Sequence, residues 1–170
     1  MPFVSLAVGA AALVAFVLRQ LRLQKEDRAL LDLRTFRSRT FTIAVIMMGV
    51  GFGMMIGTFT VLPFYLSDSL RLESLTIGLL LLPGGLLQGL LAPFIGRMYD
   101  RVGPRPLLVP GTILISIALW TFASLAADSP AFMVLIAHLL LSAGLAFMFT
   151  PLFTAGLGSV EPRLYSYGSA

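Results

Sequence analysis

The chain of 170 residues has no cysteine, one histidine, one tryptophan and few charges. The lack of thiols excludes a disulfide framework, a thiol nucleophile and a cysteine-ligated metal. The lone His138 cannot furnish the usual zinc ligand set, so no metal is expected. Charged residues make up only 12% of the chain, about half the share of an average soluble domain. Hydrophobic residues make up 58%, and the mean hydropathy is +0.94. A chain so poor in polar surface cannot cover itself in water, whereas a bilayer removes that requirement. No embedded acid pair, nucleophile constellation or metal cluster is present, so neither an enzyme nor a cofactor is expected. The pI of about 10.1 would suit a nucleic-acid partner. The basic residues instead cluster at the ends of apolar runs, which argues against nucleic acid.

What the chain has in abundance is uncharged sequence. Runs without Asp, Glu, Lys or Arg cover 1–18, 40–67, 74–96, 106–127 and 129–160. A helix needs about 20 apolar residues to cross a hydrocarbon core of roughly 30 Å, and four of the runs meet that length. The expected fold is an all-α polytopic membrane helix bundle of about five transmembrane helices, the last over about 129–157. The first run falls slightly short, as if the chain begins inside a longer helix. It lacks the basic leader and cleavage site of a secretory signal. Of twelve Lys and Arg, seven lie in 19–39, three between the third and fourth runs and one, Arg163, after the fifth; only Arg71 falls in the other loops. Positive residues are retained in the cytoplasm, so the N-terminus is expected outside and the C-terminus in the cytoplasm of a multi-pass cell-membrane protein.

The segment 19–39, RQLRLQKEDRALLDLRTFRSR, alternates leucine and phenylalanine with charge. It reads as a basic amphipathic segment on the cytoplasmic membrane face, or more simply as a solvated tether that fixes topology. The second run carries Gly49, Gly53 and Gly57 at every fourth residue, a stripe that permits close helix packing. At 100° per residue, Met48, Phe52, Met55 and Phe59 share a separate face, suited to varied apolar ligands or to ordinary packing. In the third run Gly78, Gly85 and Gly89 share a small-residue face, with Pro83 and Pro93 removing amide donors and Gln88 as the strongly polar side chain. The fifth run places His138, Ser142, Phe149 and Phe153 on one face. An ionisable residue within a membrane is a functional candidate, although a neutral histidine also serves as a hydrogen bond between helices.

The turn between the third and fourth runs, GRMYDRVGPRP at 96–106, is the most informative stretch. Gly96 permits close packing or a helix cap, and Gly103 permits a sharp turn. Asp100 stands where its carboxylate could face the free amides of the next helix, with Arg97, Arg101 and Arg105 beside it. A tight charged turn alone would account for these residues.

The spacing G-x-x-x-D-R-x-G-x-R at 96–105 closely resembles the cytoplasmic loop between the second and third helices of each half of major facilitator superfamily carriers. LLDLRTFRSRTFT (30–42), VLPFYL (61–66) and the run from 78 to 111 are similar to the second half of the fourteen-helix drug–proton antiporter branch. The resemblance implies a partial major facilitator fold: 1–18 is a linker transmembrane helix, and 40–170 is an incomplete C-terminal half. It implies that Gly96, Asp100, Arg101, Gly103 and Arg105 form a cytoplasmic gate motif. It also implies that Met48, Phe52, Met55, Phe59, His138, Ser142, Phe149 and Phe153 line a central cavity. The implied function is proton-coupled multidrug efflux by alternating access in a longer parent, with protons and small amphipathic, including cationic, substrates as partners alongside the lipid bilayer. Four helices of one half do not form both cavity walls, so the chain alone is expected not to transport. A carrier for another small solute, or a self-associating membrane scaffold built on the glycine stripes, is the alternative.

Overall fold

The structure is a computed structural model that describes residues 2–23, 32–126 and 129–169. These residues are helical throughout, with no strand among them, in the order α1 (Pro2–Leu23), α2 (Arg39–Asp68), α3 (Ser74–Val102), α4 (Arg105–Ala123), α5 (Ala131–Gly158) and a short α6 (Tyr165–Gly168). Single 3-10 turns occupy Leu33–Arg37 and Pro162–Leu164. Helices α1 to α5 are each long and apolar enough to cross a membrane. In hydrocarbon the backbone must satisfy its own polar groups, which leaves the α-helix as the form available to such segments.

The helices overrun the uncharged sequence where strong helix formers continue it. α1 extends through Arg19, Gln20 and Arg22, and Arg22 in its last turn faces the negative end of the helix dipole. α3 passes through Gly96 and six residues beyond it. Its 29 residues span roughly 43 Å, so its charged end projects past the hydrocarbon. Of the basic segment at 19–39, residues 24–31 lie outside the described residues.

The chain divides into two compact units, one of Met1–Ile43 with Gly156–Ala170 and one of Ala44–Ala155. In the first unit Asp32 caps the 3-10 turn. Its carboxylate accepts the Arg34 backbone N–H at 2.9 Å and the Arg34 Nε–H at 2.9 and 3.0 Å, and Nη2 lies 2.9 Å away. The Ser38 hydroxyl accepts the Phe41 N–H at 3.2 Å, an N-cap for α2, and lies 2.8 Å from the Ser159 hydroxyl. Phe41, Leu157, Val160 and Leu164 form the buried cluster of this unit.

In the second unit α5 is the central element. Half of its most apolar window is buried, against 11% for α2 and α3 and 22% for α4. Glycine sets each of its contacts. A Cβ on Gly144 would meet the Gly111 carbonyl oxygen of α4 at 2.9 Å and the Ile115 nitrogen at 3.0 Å, so these two backbones touch. On α2, Gly51 lies under Met148 and Phe149; on α3, Gly84 lies under His138 and Ser142. Around these approaches Ala44, Ile115, Ala118, Leu141, Leu145, Met148 and Leu152 form the principal core. At the far end of the unit, the Tyr65 hydroxyl donates to the Ala126 carbonyl at 2.7 Å, tying the end of α2 to the loop after α4. Outward-facing side chains such as Leu79, Leu90, Phe94 and Trp120 remain exposed, as a lipid-facing surface would be.

The glycine stripes expected to mediate packing lie elsewhere. Nothing in the described chain comes within 4 Å of a Cβ built on Gly49, Gly53, Gly57, Gly78, Gly85 or Gly89. A four-residue repeat marks a groove along one helix but does not determine which face the neighbouring helices take. The contacts fall instead on single glycines: Gly51 and Gly84 lie opposite large or polar side chains of α5, and Gly111 of α4 meets Gly144 and Phe147 of α5.

Two outcomes follow. Gly144→Leu should destabilise the protein in detergent by about 1–3 kcal/mol or more, because it meets backbone that cannot rotate away. Gly53→Ala, facing open space, should be neutral or stabilise by up to about 1 kcal/mol; thermal unfolding of both variants measures this. Burial raises the Asp32 pKa, but the hydrogen bonds from Arg34 and the charges of Arg34 and Arg163 outweigh it and hold the carboxyl below its ordinary 3.8. Its contribution is therefore complete above that value and is lost as pH falls through the lowered folded value. Asp32→Asn should flatten this acid limb in a pH series of unfolding curves and leave the shape of the neutral limb unchanged.

Candidate functional site

The candidate cavity residues come from α2 and α5. Met55, Phe59, His138 and Ser142 meet around one small cleft, which Thr58, Gly85 and Gln88 also line. Phe52 and Phe149 stack one turn or more away, with ring centroids 4.8 Å apart and planes tilted by 47°. Met48 packs against the principal core. Phe153 faces outward and is 52% exposed. The structure thus brings four of the eight residues together, pairs two more beside them, and leaves Met48 in packing and Phe153 on the surface.

The cleft is apolar apart from a few polar groups. His138 and Ser142 are buried, and the His138 Nε2 lies 3.1 Å from the Leu81 carbonyl oxygen of α3. That contact gives the buried imidazole a backbone partner on the neighbouring helix. Gln88, the strongly polar side chain of the third run, lines the cleft and makes no hydrogen bond to a described residue. Sequence reasoning did not single out Thr58 or the contact glycine Gly84. The position of Thr58, three residues after Met55 on the same helix, was the available signal. A wider, largely apolar cleft of about 390 Å³ lies between the C-terminal halves of α2 and α4, lined by Met54, Gly57, Val61, Tyr65, Leu119 and Phe122 among others. It too was unanticipated, because it depends on how α4 leans on α2.

The charged turn has a definite geometry. Gly103 ends α3 with φ 76° and donates its N–H to the Tyr99 carbonyl at 2.8 Å, a left-handed cap that disfavours side chains. α4 starts two residues later, with Pro104 at its N-cap and Pro106 within the first turn. Asp100 therefore belongs to the last turn of α3 and does not cap α4 as the sequence suggested. The α3 helix runs on past Gly96, carrying the carboxylate around its own surface. Asp100, Arg101 and Arg105 are exposed, and no ion pair joins them among the described residues. Arg97 lies over the Phe94 ring at 5.4 Å from its centroid.

Comparison with known proteins accords with this architecture. The Major Facilitator Superfamily profile matches residues 1–170. The chain is 40% identical to the lincomycin resistance protein LmrB of Listeria innocua, over 98% of this chain and 35% of that protein. It is 34% identical to LmrB of Bacillus subtilis, over 98% and 34%. It is 30% identical to the riboflavin transporter RibZ of Clostridioides difficile, over 97% and 36%. The chain thus spans about a third of the length of these relatives. No solved structure matches it. With five apolar helices long enough to span a membrane and a family match along its whole length, the chain belongs to the major facilitator superfamily of membrane transporters.

Proposed function

We propose that the chain is part of the second half of a drug exporter that exchanges amphipathic substrates, cationic ones included, for protons by alternating access. The observation that carries this reading is the meeting of Met55 and Phe59 from α2 with His138 and Ser142 from α5 around one cleft. Soft apolar side chains supply adaptable contact area, and a few buried polar groups orient a ligand. The relatives named for lincomycin resistance support a drug as cargo. In this reading the cleft is one wall of a midplane site whose other wall comes from the opposite half. The open glycines of α2 and α3 suit close approach by helices outside this chain.

The turn at 96–105 acts as the cytoplasmic gate in the same reading. Gly103 sets the reversal, and exposed Asp100, Arg101 and Arg105 stand free to pair with a facing segment when the cytoplasmic side closes. The basic residues at the helix ends support a cytoplasmic position for this turn and an outside position for the α2–α3 loop. A second reading, carriage of a different small solute, draws on the similarity to a protein named as a riboflavin transporter.

Asp100→Asn in the complete carrier should abolish drug efflux while leaving membrane insertion intact; unchanged efflux in a dye-extrusion assay would refute the gate role. The absence of native cysteine makes orientation directly testable. A cysteine at Ser69 should react with a membrane-impermeant maleimide in intact cells, and one at Val102 only after permeabilisation. The reverse pattern inverts the topology.

A further inference from the structure

Polar groups enclosed by a membrane helix bundle need partners from within it. His138 is 4% exposed, and α3 fixes its ring. The Nε2–Cδ2 edge presses against Gly84, where an added Cβ would collide with both atoms. On that edge Nε2 lies 3.1 Å from the Leu81 carbonyl oxygen. A carbonyl oxygen only accepts, so Nε2 carries the proton and Nδ1 of the neutral ring is a bare acceptor. In a five-membered ring Nδ1 is the vertex opposite the Nε2–Cδ2 edge, so it turns away from the α3 backbone. It is buried with no hydrogen-bond partner in the protein, the one such side-chain nitrogen or oxygen among the described residues.

The cavity that His138 lines amounts to about 20 Å³. That is room for one water-sized group. Besides His138, three of its lining residues, Thr58, Gln88 and Ser142, carry hydroxyl or amide groups; the other five are apolar or glycine. A group held here would find the several polar partners that an enclosed donor requires.

We propose that this cavity is a binding site for one small hydrogen-bond donor, received by Nδ1 of His138 and surrounded by Thr58, Gln88 and Ser142. The donor is either a water molecule or the N–H or O–H group of an amphipathic solute. The water form stands on the geometry alone, whereas the solute form rests on the transport reading above. Selection follows from the chemistry: an apolar cleft with one buried acceptor favours molecules that pair an apolar body with a donor group.

Because His138 is the sole histidine, ¹⁵N-histidine labelling of the full chain in lipid bilayers yields one imidazole to follow. The expected spectrum has Nε2 protonated and Nδ1 displaced to lower frequency than a bare imidazole nitrogen, with a through-space correlation from Nδ1 to water protons. Dodecylammonium and dodecyltrimethylammonium share tail and charge, but only the first can donate. Replacement of the water correlation by dodecylammonium alone identifies the solute donor group as ligand; persistence of the water correlation with both identifies water. The proposal is overturned by an Nδ1 resonance at the bare position under all conditions, by protonation at Nδ1 with Nε2 bare, or by a correlation solely to protons of Gln88, Thr58 or Ser142. A water-only result leaves the site standing and bears on the solute form alone. Failure of the transport reading shows separately in the efflux of Asp100→Asn.

Discussion

The close approach of α5 to three neighbours, made possible by glycine, is the constraint on which the second unit depends. Apolar side chains give helices little reason to associate in lipid, because the tails are as apolar as leucine. What remains is dense packing at short range, which falls off within an ångström of added separation. Gly111 and Gly144 bring α4 and α5 to backbone contact, while Gly51 and Gly84 admit α5 side chains into α2 and α3. The core cluster of Leu141, Leu145, Met148 and Leu152 follows from that placement. So does the cleft, because the same approach at Gly84 presses His138 into α3 and turns its other nitrogen away from the α3 backbone.

The charged turn and the cleft sit at different levels of the same helices. α3 carries Gly84 near its middle and Asp100 in its last turn, so one continuous helix links the α5 contact to the charged turn. The left-handed cap at Gly103 and the prolines that follow keep the reversal into α4 short and stiff.

Much of this was legible in the sequence, for identifiable reasons. The five apolar segments could be read because solvation by lipid writes itself into every residue of a spanning helix. The shared faces of Met55 with Phe59 and of His138 with Ser142 could be read because helical periodicity is local. The glycine contacts could not. Gly51, Gly84, Gly111 and Gly144 carry no repeat, whereas Gly49, Gly53 and Gly57 form a regular stripe that meets nothing among the described residues. Periodicity identifies a face but says nothing of the neighbour's register, so the pairing of His138 with Leu81 was also out of reach. Asp100 was misplaced for a related reason. The apolar run ends at Gly96, but a helix ends where its backbone can be capped, here at Gly103.

Chemical access to the α2–α5 face in the complete carrier tests the account most directly. With any cysteine outside these 170 residues replaced, single cysteines can be placed at Met55, Phe59 and Ser142, with Ile136 on the exposed side of α5 as the comparison. The account predicts that a water-borne thiol reagent modifies positions 55, 59 and 142, that a transported drug protects them, and that position 136 neither reacts from water nor responds to drug. Equal reactivity at all four positions, or no protection by any drug the carrier exports, would contradict it.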